Sequence, residues 1–174
     1  MTFNKVIFDI ETTMTADKIW CIVCKHNDTY YQFREDNLHR FEEFIKQTEE
    51  VIGHNILGFD IPVVNKIFGY DLFANCKKTD TLVLSRLLNP MIEGGHSLKN
   101  WGTKLGHNKI HFEQFDFFTE EMLTYCRNDV ELTERLYKFL ITKTKDFGQS
   151  IELEHKVAEI IQKQHDTGFK INII

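Results

Sequence analysis

The chain has 174 residues, 42% hydrophobic and 27% charged, with a formal net charge of −5. That is enough material for one domain with a sizeable core, and only 2 Pro against 15 Phe argues against long disordered linkers. No apolar run is long enough for a membrane helix, and the start lacks the charged-then-apolar layout of a signal peptide, so a cytoplasmic protein without a membrane partner is expected.

In chain order, residues 4–10 (NKVIFDI) form a β-rich run that places Asp9 and Glu11 at its C-terminal end. Residues 18–25 and 29–34 follow as strands, parted by turn chemistry at His26-Asn27-Asp28. The stretch 36–50 has Leu38, Phe41, Phe44 and Ile45 at helical spacing. VIGHN at 51–55 is a compact apolar strand, and 56–69 is a loop entering a helix, with Pro62 in the first turn and Gly69 near the end. Residues 76–89 give a strand end and a helix, and 97–106 a short helix after Gly94-Gly95. The clearest helix has Thr119 as N-cap, Glu120 and Glu121 in its first turn and Lys143 at its end. Its apolar face comprises Met122, Leu123, Cys126, Val130, Leu132, Leu136, Phe139 and Leu140. This order predicts an α/β domain, a ribonuclease-H-like mixed sheet, part antiparallel and part parallel, with helices on both faces.

Of the four cysteines, Cys21 and Cys24 form a C-x-x-C inside an apolar strand. A strand sends those two side chains to opposite faces, so neither a zinc site nor a redox pair is natural there, and buried thiols are expected.

Three acidic motifs carry the chemistry: FDIET at 8–12, NILGFD at 55–60 and YCRND at 125–129. Asp9 and Glu11, two apart on a strand, share a side. Asp60 opens a helix, where the dipole favours a carboxylate. Tyr125 and Asp129, four apart on the long helix, share a face. Each pattern alone is weak, since exposed acids are common. Together they supply hard oxygen ligands from distant segments, as a site for two divalent ions requires. Setting the four motif carboxylates aside brings the net charge close to neutrality, so the acidic balance does not exclude a nucleic-acid partner. His54 reads as a hydrogen-bonding residue outside the site.

D-x-E, N-x-x-x-F-D and Y-x-x-x-D in this order resemble the signature of the DEDD exonucleases in the Tyr-bearing subgroup. The His-bearing subgroup would need His at position 124, which is Thr here. DTLVLSRLL at 80–88, HSLKNWGTKLG at 96–106 and FTEEMLTYCRNDVELTERL at 118–136 resemble the proofreading domain of family A DNA polymerases of short-tailed bacteriophages. The resemblance covers residues 1–147, and the tail at 148–174 is similar to the start of a polymerase domain.

That resemblance implies two-metal hydrolysis, with Mg²⁺ or Mn²⁺, of the terminal phosphodiester at the 3′ end of single-stranded or frayed DNA, releasing nucleoside 5′-monophosphates. It implies Asp9, Glu11, Asp60 and Asp129 as metal ligands, Tyr125 as the residue that orients the attacking water, and Thr12, Asn55 and Phe59 as contacts to the terminal nucleotide. His96, Ser97 and Lys99 are candidate contacts to the strand backbone, or else a helix cap and surface charge. A monomer is expected, with a DNA polymerase domain or subunit as a possible partner, in the host cytoplasm if the protein is viral. Two alternatives stay open: an RNA-trimming 3′–5′ exonuclease of the same superfamily, and a catalytically silent strand-binding domain.

Overall fold

The structure is a computed structural model that describes residues 2–170. Five strands form one mixed sheet: β1 (Val6–Thr12), β2 (Ile19–His26), β3 (Thr29–Arg34), β4 (Glu50–Gly53) and β5 (Lys77–Asp80), in the order β3-β2-β1-β4-β5. β1 pairs antiparallel with β2 and parallel with β4, so the central strand divides the antiparallel half from the parallel half. The helices are α1 (Leu38–Ile45), α2 (Asp60–Phe68), α3 (Thr81–Leu88), α4 (Leu98–Leu105), α5 (Glu120–Lys143) and α6 (Gln149–Thr167). No helix of the described residues is long and apolar enough to cross a membrane.

Alternation along β1 sorts the core into two layers. Phe8 and Ile10 pack with Phe41 and Phe44 of α1 and Val64 of α2. Ile7 points the other way, into a cluster with Cys21, Val23, Met122, Cys126 and Val130 under α5. Asp9 and Glu11 share the parity of Ile7 and therefore face α5. A further cluster, Leu84, Trp101, Leu132 and Leu136, joins α3 and α4 to α5. Cys21 and Cys24 fall in different layers, as the strand reading requires.

Three boundaries differ from expectation. The acidic pair lies inside β1, which extends to Thr12. α1 ends at Ile45 because the next residues are claimed by Phe3, whose N–H donates to Gln47 O at 2.8 Å and whose carbonyl accepts from Glu49 N at 2.9 Å. β4 stops at Gly53, leaving His54 and Asn55 in a turn where Asn55 takes a φ of 63°, a left-handed conformation that Asn tolerates better than most residues. Gly53 allows that departure. A Cβ there would lie 2.0 Å from Ile56 Cγ2 and 3.0 Å from Phe8 O.

The tail is packed along part of its length. Ile151 joins the cluster at α3–α5, Ala158 touches the α1–α2 layer, and Leu153, Val157, Ile160 and Ile161 are exposed. Residues 171–174 of the tail lie outside the described residues.

Candidate metal centre

The parting of β1 from β4 builds the site. β4 pairs with β1 only at Val6 and Ile7, so the N–H of Ile10 needs another acceptor. Asp60, at the first turn of α2, supplies it: Oδ1 accepts from Ile10 N at 3.2 Å. This bond draws the second motif against the first, between Asp9 and Glu11. From the opposite side α5 lays Tyr125, Cys126 and Asp129 over the same stretch of β1. Cys126 Sγ donates to Asp9, 3.4 Å from both its carbonyl oxygen and Oδ2. Glu11, Asp60 and Asp129 are 7%, 4% and 2% exposed, so this is a buried acidic cluster rather than a solvated face.

The electrostatics follow from that crowding. Burial, then the charges of Asp60, Asp129 and Glu11, push the Asp9 carboxyl well above its ordinary range. Burial chiefly raises Glu11 to about 9 and Asp60 to about 7, the latter against the help of backbone donors. Asp129 is also raised by burial, with Lys109 opposing. Four mutually repelling carboxylates so placed call for cations. One is present: Lys109 Nζ lies 2.5 Å from Asp129 Oδ2. The other oxygen, Asp129 Oδ1, is buried with no hydrogen-bond partner among the described residues. An orphan carboxylate oxygen beside three more carboxylates fits a hard divalent ion. Asp9, Glu11 and Cys126 each place a ligand atom within 4.8 Å of the others, a spacing that one ion can bridge.

Tyr125 is held by aromatic packing. Phe112 stacks on its ring at 5.4 Å between centroids, Phe115 meets it edge-on at 6.3 Å, and the Lys109 ammonium sits 4.8 Å from the ring centre. Burial first, then the nearby Asp129 carboxylate, raises the phenol to about 12, so it stays protonated and able to donate near neutral pH.

The other candidates lie around this centre. Thr12 ends β1 next to Glu11, its hydroxyl donating to Thr13 O at 2.9 Å. Asn55 and Phe59 are exposed on the turn between β4 and α2, Phe59 at 41%. His54 is tied to Thr81 Oγ1 at 2.9 Å, and burial lowers its pKa to about 4, a neutral hydrogen-bonding residue. Ser97 caps α4 through Asn100 N, and His96 Nδ1 lies 2.7 Å from Ser85 Oγ, so both are engaged within the fold.

Two residues escaped the sequence reading. Asp80, 1% exposed, accepts from Asn55 N at 2.8 Å, Leu57 N at 3.1 Å and Leu82 N at 2.8 Å, so it holds the turn that presents Asn55, Phe59 and Asp60. An Asp ahead of an apolar helical run signals an N-cap, but its grip on a second loop has no local signature. Lys109 lies in the irregular segment between α4 and α5, where no spacing marks it.

The chain has the fold of known nucleases. A structure of Brucella melitensis NrnC with bound Mg²⁺ superposes with a TM-score of 0.72 at 19% identity, covering 98% of this chain and 89% of that one. NrnC bound to pGG gives 0.71 at 17% identity, with 98% and 89% covered. Escherichia coli RNase D, an exoribonuclease involved in structured RNA processing, gives 0.68 at 14% identity over 92% of this chain and 45% of that one. At such identities the likeness establishes the ribonuclease-H-like fold. No protein-family model and no curated sequence matches the chain.

Proposed function

We propose that the chain is a divalent-metal-dependent 3′–5′ exonuclease that removes nucleotides from the end of short or single-stranded RNA. The observation that carries the reading is the convergence of Asp9, Glu11, Asp60 and Asp129 from three separate segments, with one Asp129 oxygen buried and unpartnered. RNA is preferred over the DNA that the polymerase resemblance implies, because the proteins sharing the fold include an exoribonuclease and one solved with pGG.

Asp9, Glu11, Asp60 and Asp129 would hold Mg²⁺ or Mn²⁺. When bound, such ions activate water and stabilise the oxygens of an in-line displacement at phosphorus. The protein's own contribution is placement. Asp9 and Glu11 are fixed by the β1 ladder, and Asp60 by the Ile10 N–H. Tyr125 remains a phenol at neutral pH and orients the attacking water by hydrogen bonding rather than removing its proton. Lys109 balances charge at Asp129. Asn55 and Phe59, exposed on the turn before α2, contact the terminal nucleotide by hydrogen bonding and stacking.

The test uses RNA and DNA oligomers of one sequence, labelled at either end, with Mg²⁺ or Mn²⁺. Stepwise shortening from the 3′ end is expected, faster on RNA, and abolished by chelator and by Asp9→Ala. Equal degradation by Asp9→Ala would sink the site assignment, and a strong DNA preference would return the substrate reading to proofreading.

A further inference from the structure

The Cys21 thiol faces the acidic centre as well as the core. Glu11 pairs with Cys21 in the β1–β2 ladder, so the two side chains stand beside one another under α5. Cys126 descends from α5 onto the same spot. Its Sγ is 3.4 Å from Asp9 Oδ2. Asp9, Glu11 and Cys126 offer ligand atoms within 4.8 Å of one another, and Asp129 contributes a buried oxygen without a partner among the described residues.

We propose that Asp9, Glu11 and Cys126 form a site for a soft divalent ion of the zinc or cadmium kind, overlapping the hard-ion centre and competing with it. One sulfur and two carboxylates make a three-residue, mixed O/S set of the kind zinc accepts in tetrahedral geometry with water as the fourth ligand. Mg²⁺ gains nothing from sulfur, whereas thiolate ligands favour soft ions, and the general affinity order already places Zn²⁺ above Mn²⁺. On binding, Cys126 loses the proton it now shares with Asp9 to water, and a sulfur–metal bond replaces the hydrogen bond. Zn²⁺ or Cd²⁺ thus takes Asp9 and Glu11 away from the hard ions that the proposed hydrolysis needs, and the nuclease is inhibited. The inhibition rests on the proposed nuclease reading, but the binding does not.

The probe is Cd²⁺ alone, added to the 174-residue chain in a Cys76→Ser background that removes a partly exposed thiol elsewhere in the fold. Its readout is the ultraviolet charge-transfer absorption of cadmium–thiolate bonds. A band saturating at one equivalent is expected. Cys126→Ser should remove it and weaken Cd²⁺ binding at least as much as loss of an outer-shell partner does, about 10–100-fold. Cys24→Ser, on the other face of the sheet, should leave it unchanged. No saturable band, or an equal band in Cys126→Ser, overturns the proposal. Should Cys126→Ser fail to fold, Glu11→Gln with Cys126 intact reads the same site, and an unaltered Cd²⁺ titration there overturns it too. A Cd²⁺ band in a protein that degrades no oligomer sinks the nuclease reading and leaves this site standing; degradation without a band does the reverse.

Discussion

Lys109 stands in for a counter-ion at the acidic centre. Its ammonium is 2.5 Å from Asp129, and its side chain keeps 25% of its exposure while that of Asp129 keeps 3%. Removing one partner of a fully buried pair costs about 3–5 kcal/mol, because the remaining charge has no compensation. The partial exposure of Lys109 makes the cost here smaller. Lys109→Met keeps the stem and its packing near Tyr125 while deleting the charge. In chelator this variant should melt several degrees below the parent, and Mg²⁺ or Mn²⁺ should restore more of its thermal midpoint than the parent gains. Identical midpoints in chelator would show that Asp129 does not depend on Lys109. The ammonium also bears on Tyr125: its proximity lowers the phenol's pKa, though burial outweighs it.

At the scale of elements, Asp80 links the turn before α2 to the tail. Its carboxylate holds Asn55 and Leu57, while its own N–H donates to His155 Nε2 of α6 at 2.9 Å. His155 Nδ1 is in turn 2.7 Å from Ile151 O, so the ring spans α6 and the end of β5. His155→Ala strands a buried backbone donor, a loss of about 1–3 kcal/mol. Hydrogen exchange should rise in α6 and also at Asn55–Asp60; a rise confined to α6 would refute the linkage. This connection shows what a sequence can and cannot convey. Asp9 with Glu11, and Tyr125 with Asp129, were legible because strand and helix periods put each pair on one side. The α5 span was legible from its Thr119 cap and apolar spacing. The Asp60 contact to Ile10 was not, because it exists only where β4 parts from β1. Asp80, Lys109 and His155 act across 20 or more residues of chain, and no local pattern encodes their partners.

The whole molecule stores electrostatic repulsion at its centre, and pH should reveal it. In the folded chain Glu11 is held up to about 9 and Asp60 to about 7, mainly by burial, whereas both ionise near ~4 once unfolded. Above ~4 the unfolded chain has released these protons and the folded chain keeps them, so stability falls as pH rises. The loss runs through the interval up to about pH 9, where Glu11 also ionises when folded. Divalent ions at the four carboxylates remove the reason for the shift, because the ionised form then has its counter-charge. Thermal midpoints in chelator should therefore decline steadily from about pH 5 to about pH 9, and added Mg²⁺ or Mn²⁺ should flatten the decline with its largest gain at the alkaline end. A flat profile in chelator would mean that the carboxylates are not packed as the structure places them. A decline that metal leaves untouched would locate the repulsion here but deny the centre its ions, separating the fold of the site from its proposed chemistry.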